Sequence, residues 1–203
     1  MSEEREKDTY NSISALSKGL YKDKGSKFLS FAIPVSCEDD IRKEIDALKK
    51  EYYDARHHCY AYRLGKDGEI WRANDDGEPS SSAGRPILGQ LMSYELSDIL
   101  VVVVRYFGGI KLGVPGLIKA YKSATADAIE NGVIIEKRAC RRLRITFDYM
   151  EINRAMKALK DYSLTPESQN FDNMCSIEVN VRLSCVDTFS QTISSFAQIE
   201  TLI

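Results

Sequence analysis

Hydrophobic and polar positions along the chain follow two periods, and the switches between them mark out its elements. Between residues 10 and 35, apolar side chains are interspersed with Ser and Lys around Asp23-Lys24-Gly25, a turn signal that predicts a β-hairpin. Ile41, Ile45, Leu48 and Tyr52 then recur at helical spacing behind an acidic first turn, so 36–53 reads as a helix. Residues 56–64 alternate like a strand, and a second short strand at 69–73 follows the turn Gly65-Lys66-Asp67-Gly68. The polar stretch 74–82 cannot supply a core. A helix is expected at 84–96 with Pro86 in its first turn, then a strand at 98–107 whose unbroken aliphatic run implies burial on both faces. Residues 108–116 read as a glycine-rich loop and 117–130 as a helix stopped by Asn131-Gly132.

Beyond Gly132 the pattern changes. Residues 133–149 are strand-like, 151–162 helical, 164–183 a hairpin broken near Asp172-Asn173, and 186–197 helical, with a last short strand at 199–203. This βαββα order predicts a small ferredoxin-like sandwich. The fold class is therefore α/β (α+β), divided near residues 137–141 into domains 1–138 and 139–203.

Charge narrows the function. Lys and Arg number 28 against 30 acidic residues, which argues against coating duplex DNA but allows a local basic patch. The N-terminus is polar and acidic, unlike a signal peptide, and the longest aliphatic run, 99–104, is far too short to cross a bilayer, so a soluble cytoplasmic protein with no membrane partner is expected. The cysteines number five, without a CxxC, and the two histidines are adjacent, so free thiols and no zinc site are expected.

Three stretches carry candidate chemistry. In RYFGGIKLGVPGLIKAY (105–121) a buried strand enters a loop holding Gly108, Gly109, Gly113 and Gly116 and then a helix, with Arg105, Lys111, Lys119 and Lys122 and no carboxylate before Asp127. Glycines let backbone N–H groups face a ligand, and a helix start adds free donors, a combination suited to phosphate or carboxylate. A tight turn needing glycine for packing is the competing explanation. The spacing is neither a P-loop nor a dinucleotide fingerprint, and no cofactor is implied. In NDDGEPSSSAGRP (74–86), Asp75 and Asp76 favour a turn, the serines can cap the next helix, and Asp75, Asp76 and Glu78 are weighed as Mg²⁺ or acid/base groups although the pattern is not a recognised metal loop. In ARHHCYAY (55–62), His57 and Cys59 share one strand face, expected to be the more buried, and His57 reads equally as a core histidine or a site residue.

These motifs, in this order and with KGSKF (24–28) before them, resemble the YigZ/IMPACT family over the whole first domain, and the remainder is similar to the small C-terminal domain of bacterial members. The resemblance implies a first domain built as a βαβ sandwich like the second domain of a ribosomal small-subunit protein and domain IV of elongation factor G. It implies a ferredoxin-like second domain like domain V of that factor. Eukaryotic relatives regulate translation through an additional N-terminal partner-binding domain, for which this chain is expected to have no room. Where the family has Gly-Thr, Gly and Arg, this chain carries Ser81-Ser82, Pro115 and Lys119.

The leading expectation is an RNA- or ribosome-associated protein regulating translation. Its anion site would be formed by Arg105, Gly108, Gly109, Lys111, Gly113 and Lys119, with Arg56 or Arg85 nearby and Tyr60, Tyr62 or Tyr106 available to stack on a base. A second reading is an enzyme acting on a phosphorylated or carboxylate-bearing small molecule, with His57 and Glu78 as acid/base candidates; a pocket joining the three motifs would favour it. A third, a protein-interaction module, would show an exposed apolar patch. A monomer is expected.

Overall fold

A computed structural model of the chain describes residues 8–172 and 174–202. The acidic segment 1–7, Asn173 of the expected turn and Ile203 of the expected last strand lie outside them. The chain divides into two compact units: Tyr10–Lys137, and the residues from Arg138 onward together with Asp8 and Thr9.

The first unit is organised around a five-stranded sheet in the order β2-β3-β6-β4-β5. Its strands are β2 (Ser17–Asp23), β3 (Ser26–Pro34), β4 (His57–Leu64), β5 (Ile70–Asn74) and β6 (Ile99–Tyr106), and every neighbouring pair is antiparallel. Helix α1 (Glu38–Glu51) links β3 to β4, which run parallel with β6 between them. Ile41, Ile45 and Leu48 of α1 pack with Phe31, Ile33 and Val102 on one face of the sheet. On the other face α2 (Gly84–Ser93) and α3 (Gly113–Glu130) bring Ile87, Leu91, Ala120 and Tyr121 against Phe28, Val101 and Val103. Helices on both faces explain the aliphatic run of β6, which is buried from Ile99 through Arg105 although its sheet is antiparallel.

The region 10–35 holds one strand more than the expected hairpin. Strand β1 (Thr9–Ile13) precedes the β2–β3 pair and joins β7 (Ile134–Arg138) in a separate two-stranded sheet. The expected strand 133–149 is likewise two strands, β7 and β8 (Cys140–Asp148), because the chain changes partners around Ala139. Alternation reveals extended backbone, not which strand it pairs with. Helix α3 begins at Gly113, before the expected 117, because Gly113 makes the entry turn at φ +71° and Pro115 falls in the first turn, where its missing N–H has no helical partner to lose. At the sheet edge, Asp127 Oδ2 accepts from Leu20 N at 2.8 Å and Asn131 Nδ2 donates to Lys18 O at 3.0 Å, so the end of α3 satisfies backbone groups of β2.

The second unit is a four-stranded antiparallel sheet in the order β11-β8-β10-β9, made by β9 (Pro166–Phe171), β10 (Met174–Arg182) and β11 (Ala197–Thr201) with β8. Helices α4 (Ile152–Asp161) and α5 (Val186–Ile193) cover one face through Ala155, Leu159, Phe189 and Ile193. This is the ferredoxin-like arrangement. The open face is polar, with Arg144 bonded to Glu178 at 2.8 Å and to Glu200 at 3.2 Å.

Candidate functional site

The three sequence motifs meet at one end of the first unit. Register places Phe28, Arg105 and His57 in a row across β3, β6 and β4, on the face covered by α3. The loop after β5 closes over this row, and its acidic residues each do something different. Asp75 accepts from the backbone N–H of Ser81 at 2.8 Å, Ala83 at 2.9 Å and Gly84 at 2.8 Å, so it caps α2 from a distance. The serines, expected to cap, do not: Ser82 Oγ donates to Pro79 O at 2.6 Å. Asp76, at φ +40°, accepts from His58 N at 2.7 Å. Asp75 and Asp76, both expected among the ligand-binding residues, are thus each engaged by backbone N–H groups of their own chain.

Glu78 is turned inward. Its Oε1 accepts from Arg105 Nη1 at 2.6 Å and from Tyr121 Oη at 2.8 Å. Both members of the ion pair are buried, with 4% of the Glu78 side chain and 8% of the Arg105 side chain exposed. Cys59 Sγ lies 3.3 Å from Tyr121 Oη and 2.9 Å from Asp75 O. Burial pushes both the Cys59 thiol and the Tyr121 phenol far above their ordinary values, so Tyr121 remains a donor to Glu78 and Cys59 stays protonated. Arg105 also lies over the rings of Phe28 at 5.4 Å and Phe107 at 5.7 Å, and its buried Nε has no hydrogen-bond partner. Arg105, expected to hold phosphate, is thus held by a carboxylate of its own chain.

Above this ion pair opens a cleft of about 400 Å³ lined by Glu78, Pro79, Arg105, Phe107, Lys111 and the start of α3, Leu112, Gly113 and Val114. Lys111 is exposed at its rim. Phe107, Ile110 and Val114 add an apolar patch, 55%, 57% and 46% exposed. Gly108 serves packing, since a Cβ there would stand 1.9 Å from Gly25 C. Gly109, at φ +89°, has open space around it and shapes the loop.

The remaining sequence candidates lie elsewhere. Lys119 is on the exposed side of α3, away from the cleft lining. Arg56 is exposed before β4, and Arg85 lies 5.1 Å over the Trp71 ring in the first turn of α2. His57 Nδ1 is 2.8 Å from Asp76 O and outside the lining, so this cleft does not join His57 to Glu78, the arrangement that would have favoured the enzyme reading. His58, not His57, is the more deeply buried histidine, 6% exposed, because α1 covers its face and Tyr52 O lies 3.2 Å from its Nε2. Among the stacking candidates, Tyr62 is buried and donates to Glu38 at 2.8 Å, Tyr60 is half-buried, and Tyr106 donates to Asp54 at 2.7 Å, which pushes its phenol up to about 12. Phe107, which is not among the stacking candidates read from the sequence, is the exposed aromatic of the cleft lining; its one sequence signal is an apolar residue placed just where the strand gives way to glycine. No helix among the described residues is long and apolar enough to cross a membrane.

Residues 24–129, which include the row, the loop and the cleft, match the Impact N-terminal domain. The chain is 33% identical over 166 residues to the IMPACT family member YvyE of Bacillus subtilis, covering 82% of this chain and 76% of that protein. It is 30% identical over 176 residues to an IMPACT family member of Haemophilus influenzae, covering 84% of each. A crystal structure described as that of a hypothetical protein superposes with a TM-score of 0.74 at 25% identity, covering 97% of this chain and 98% of the other. With the match spanning the motifs of the cleft and the similarity extending over most of both chains, this protein belongs to the IMPACT family.

Proposed function

We propose that this protein is a cytosolic, RNA-binding regulator of translation that holds its ligand at the cleft between the 75–82 loop and the start of α3. The observation that carries the reading is the pairing of an exposed lysine with an exposed aromatic ring at the rim of one cleft: Lys111 and Phe107. A cleft of about 400 Å³ is the size of a small-ligand site. The Glu78–Arg105 pair cancels its own charge, so Lys111 and the backbone donors that open α3 supply the attraction for phosphate. Phe107 offers a face for a base, and the apolar lining suits the rest of the nucleotide. The link to translation rests on what the family resemblance implies.

Fluorescence anisotropy with a labelled single-stranded RNA, titrated at several salt concentrations, tests the proposal. Lys111→Ala should weaken binding and lower the salt slope by about 0.7, one phosphate contact on a single strand. Phe107→Ala should weaken it about 5- to 150-fold, the equivalent of about 1–3 kcal/mol for one stacked base. Unchanged affinity in the folded double variant would overturn the assignment.

A further inference from the structure

Phe107 borders a second hollow. Side chains alternate across a strand, so Arg105 faces α3 while Tyr106 faces the side of the sheet that α1 covers. There Lys22 pairs in register with Lys27, and Lys27 with Tyr106, so β2, β3 and β6 present two lysines and a tyrosine in one row. The adjacent row is Leu20, Leu29 and Val104. The core residues of α1 pack on β3, β6 and β4 and leave the β2 corner open, with Leu20 45% exposed. The result is a depression of about 500 Å³ lined by Leu20, Lys22, Lys27, Leu29, Tyr106 and Phe107.

Its charge pattern is costly for folding alone. Like charges directly opposite on neighbouring strands destabilise a sheet. Among the described residues, the lysines found in ion pairs are Lys66 and Lys137, so Lys22 and Lys27 face each other unneutralised. The carboxylate bonded at this rim, Asp54, accepts from Tyr106 Oη. Asp23 follows Lys22 in the strand and is directed to the other face. Two uncompensated ammonium groups beside two aromatic rings and an apolar floor are the components of a single-strand nucleic-acid platform.

We infer that this depression is a second nucleotide subsite, and that the RNA is bound as a single strand straddling Phe107. One base lies in each hollow, the backbone passing Lys111 on one side and Lys22 and Lys27 on the other. This inference rests on the reading of the α3 cleft given above and extends it from one nucleotide to a strand. Paired bases cannot splay to either side of a ring, so a duplex does not fit.

The test uses the full chain, labelled hexauridylate followed by anisotropy, and uridine 5′-monophosphate followed by amide chemical shifts. Lys22→Ala/Lys27→Ala, which removes a repulsion and should fold at least as well as the parent, is expected to weaken hexamer binding. It should lower the salt slope by about 1.4, two contacts at about 0.7 each, while leaving monophosphate shifts at Gly113 and Val114 unchanged. If Lys111→Ala weakens the hexamer and the double lysine variant does not, the second subsite is overturned and the cleft stands. If neither variant matters, or the hexamer does not bind, both readings fall. Equal affinity for a duplex, or equal competition by hexaglutamate, would overturn the assignment to single-stranded RNA.

Discussion

Replacing Glu78 with Gln tests whether the acidic loop is held down by its buried ion pair. By its place in a polar loop Glu78 reads as an acid/base candidate; its burial against Arg105 predicts that its loss also costs stability. With 4% of its side chain and 8% of the Arg105 side chain exposed, neither charge is screened by water. Glu78→Gln keeps the shape and one carbonyl acceptor but leaves the guanidinium without a counter-charge. Removing one partner of such a pair costs about 3–5 kcal/mol, and the retained acceptor puts this substitution near 3 kcal/mol. At about 2–4 °C per kcal/mol for a chain of this size, Tm should fall by about 6–12 °C. Thermal unfolding followed by circular dichroism reads the change. Glu78→Gln/Arg105→Met, which removes both charges and keeps a carbonyl acceptor for the buried Tyr121 hydroxyl, should recover much of the loss, because no buried charge is then left without its partner. An unchanged Tm in Glu78→Gln would refute the reasoning, and so would a double variant as unstable as the single.

Two further outcomes are expected. Burial holds the His58 imidazole below its ordinary value against the opposing pull of Asp76, so the unfolded chain takes up that proton first. The stability due to neutral His58 is complete above about pH 6.5, the unfolded value, and is lost as pH falls through the lowered folded one. Urea midpoints should therefore drop as pH falls below about 6.5, and His58→Gln should flatten that slope. A chain ending at Lys137 should fold alone, since Tyr10–Lys137 is compact by itself; a circular dichroism spectrum of an unfolded chain would show that the two units depend on each other.

What the sequence made legible was local. The period of α1 and the buried run of β6 follow from spacing and aliphatic content, and the 4-1-3-2 strand order of the second unit follows from element order. The partner change at Ala139 was not legible, because β7 and β8 are equally extended and differ only in which strands they meet. At the site, glycine spacing marked the loop that carries Lys111, but the charges of Arg105, Asp75 and Asp76 did not reveal the internal partners those side chains take. Nothing in a linear sequence says that Arg105 meets Glu78, 27 positions away, or that Asp75 reaches the N–H groups of a helix eight and nine residues on. Phe107 was missed because a lone apolar residue before glycines reads as the end of a strand, whereas its exposure depends on how α3 and the β2–β3 turn frame it.

The contacts from Asp127 and Asn131 to β2 also set the size of the sheet. An edge strand is an open template for another chain, and proteins that leave one bare invite aggregation. Here Leu20 N and Lys18 O are already taken, so an incoming strand would find those ladder positions occupied. The next position along belongs to Lys22, whose ammonium would confront the same group on a second copy of the chain. Two side chains at the end of a helix and one lysine thus close the sheet at β2 by chemistry, not by shortness of the strand, and losing Asp127 and Asn131 together would reopen the edge to self-association.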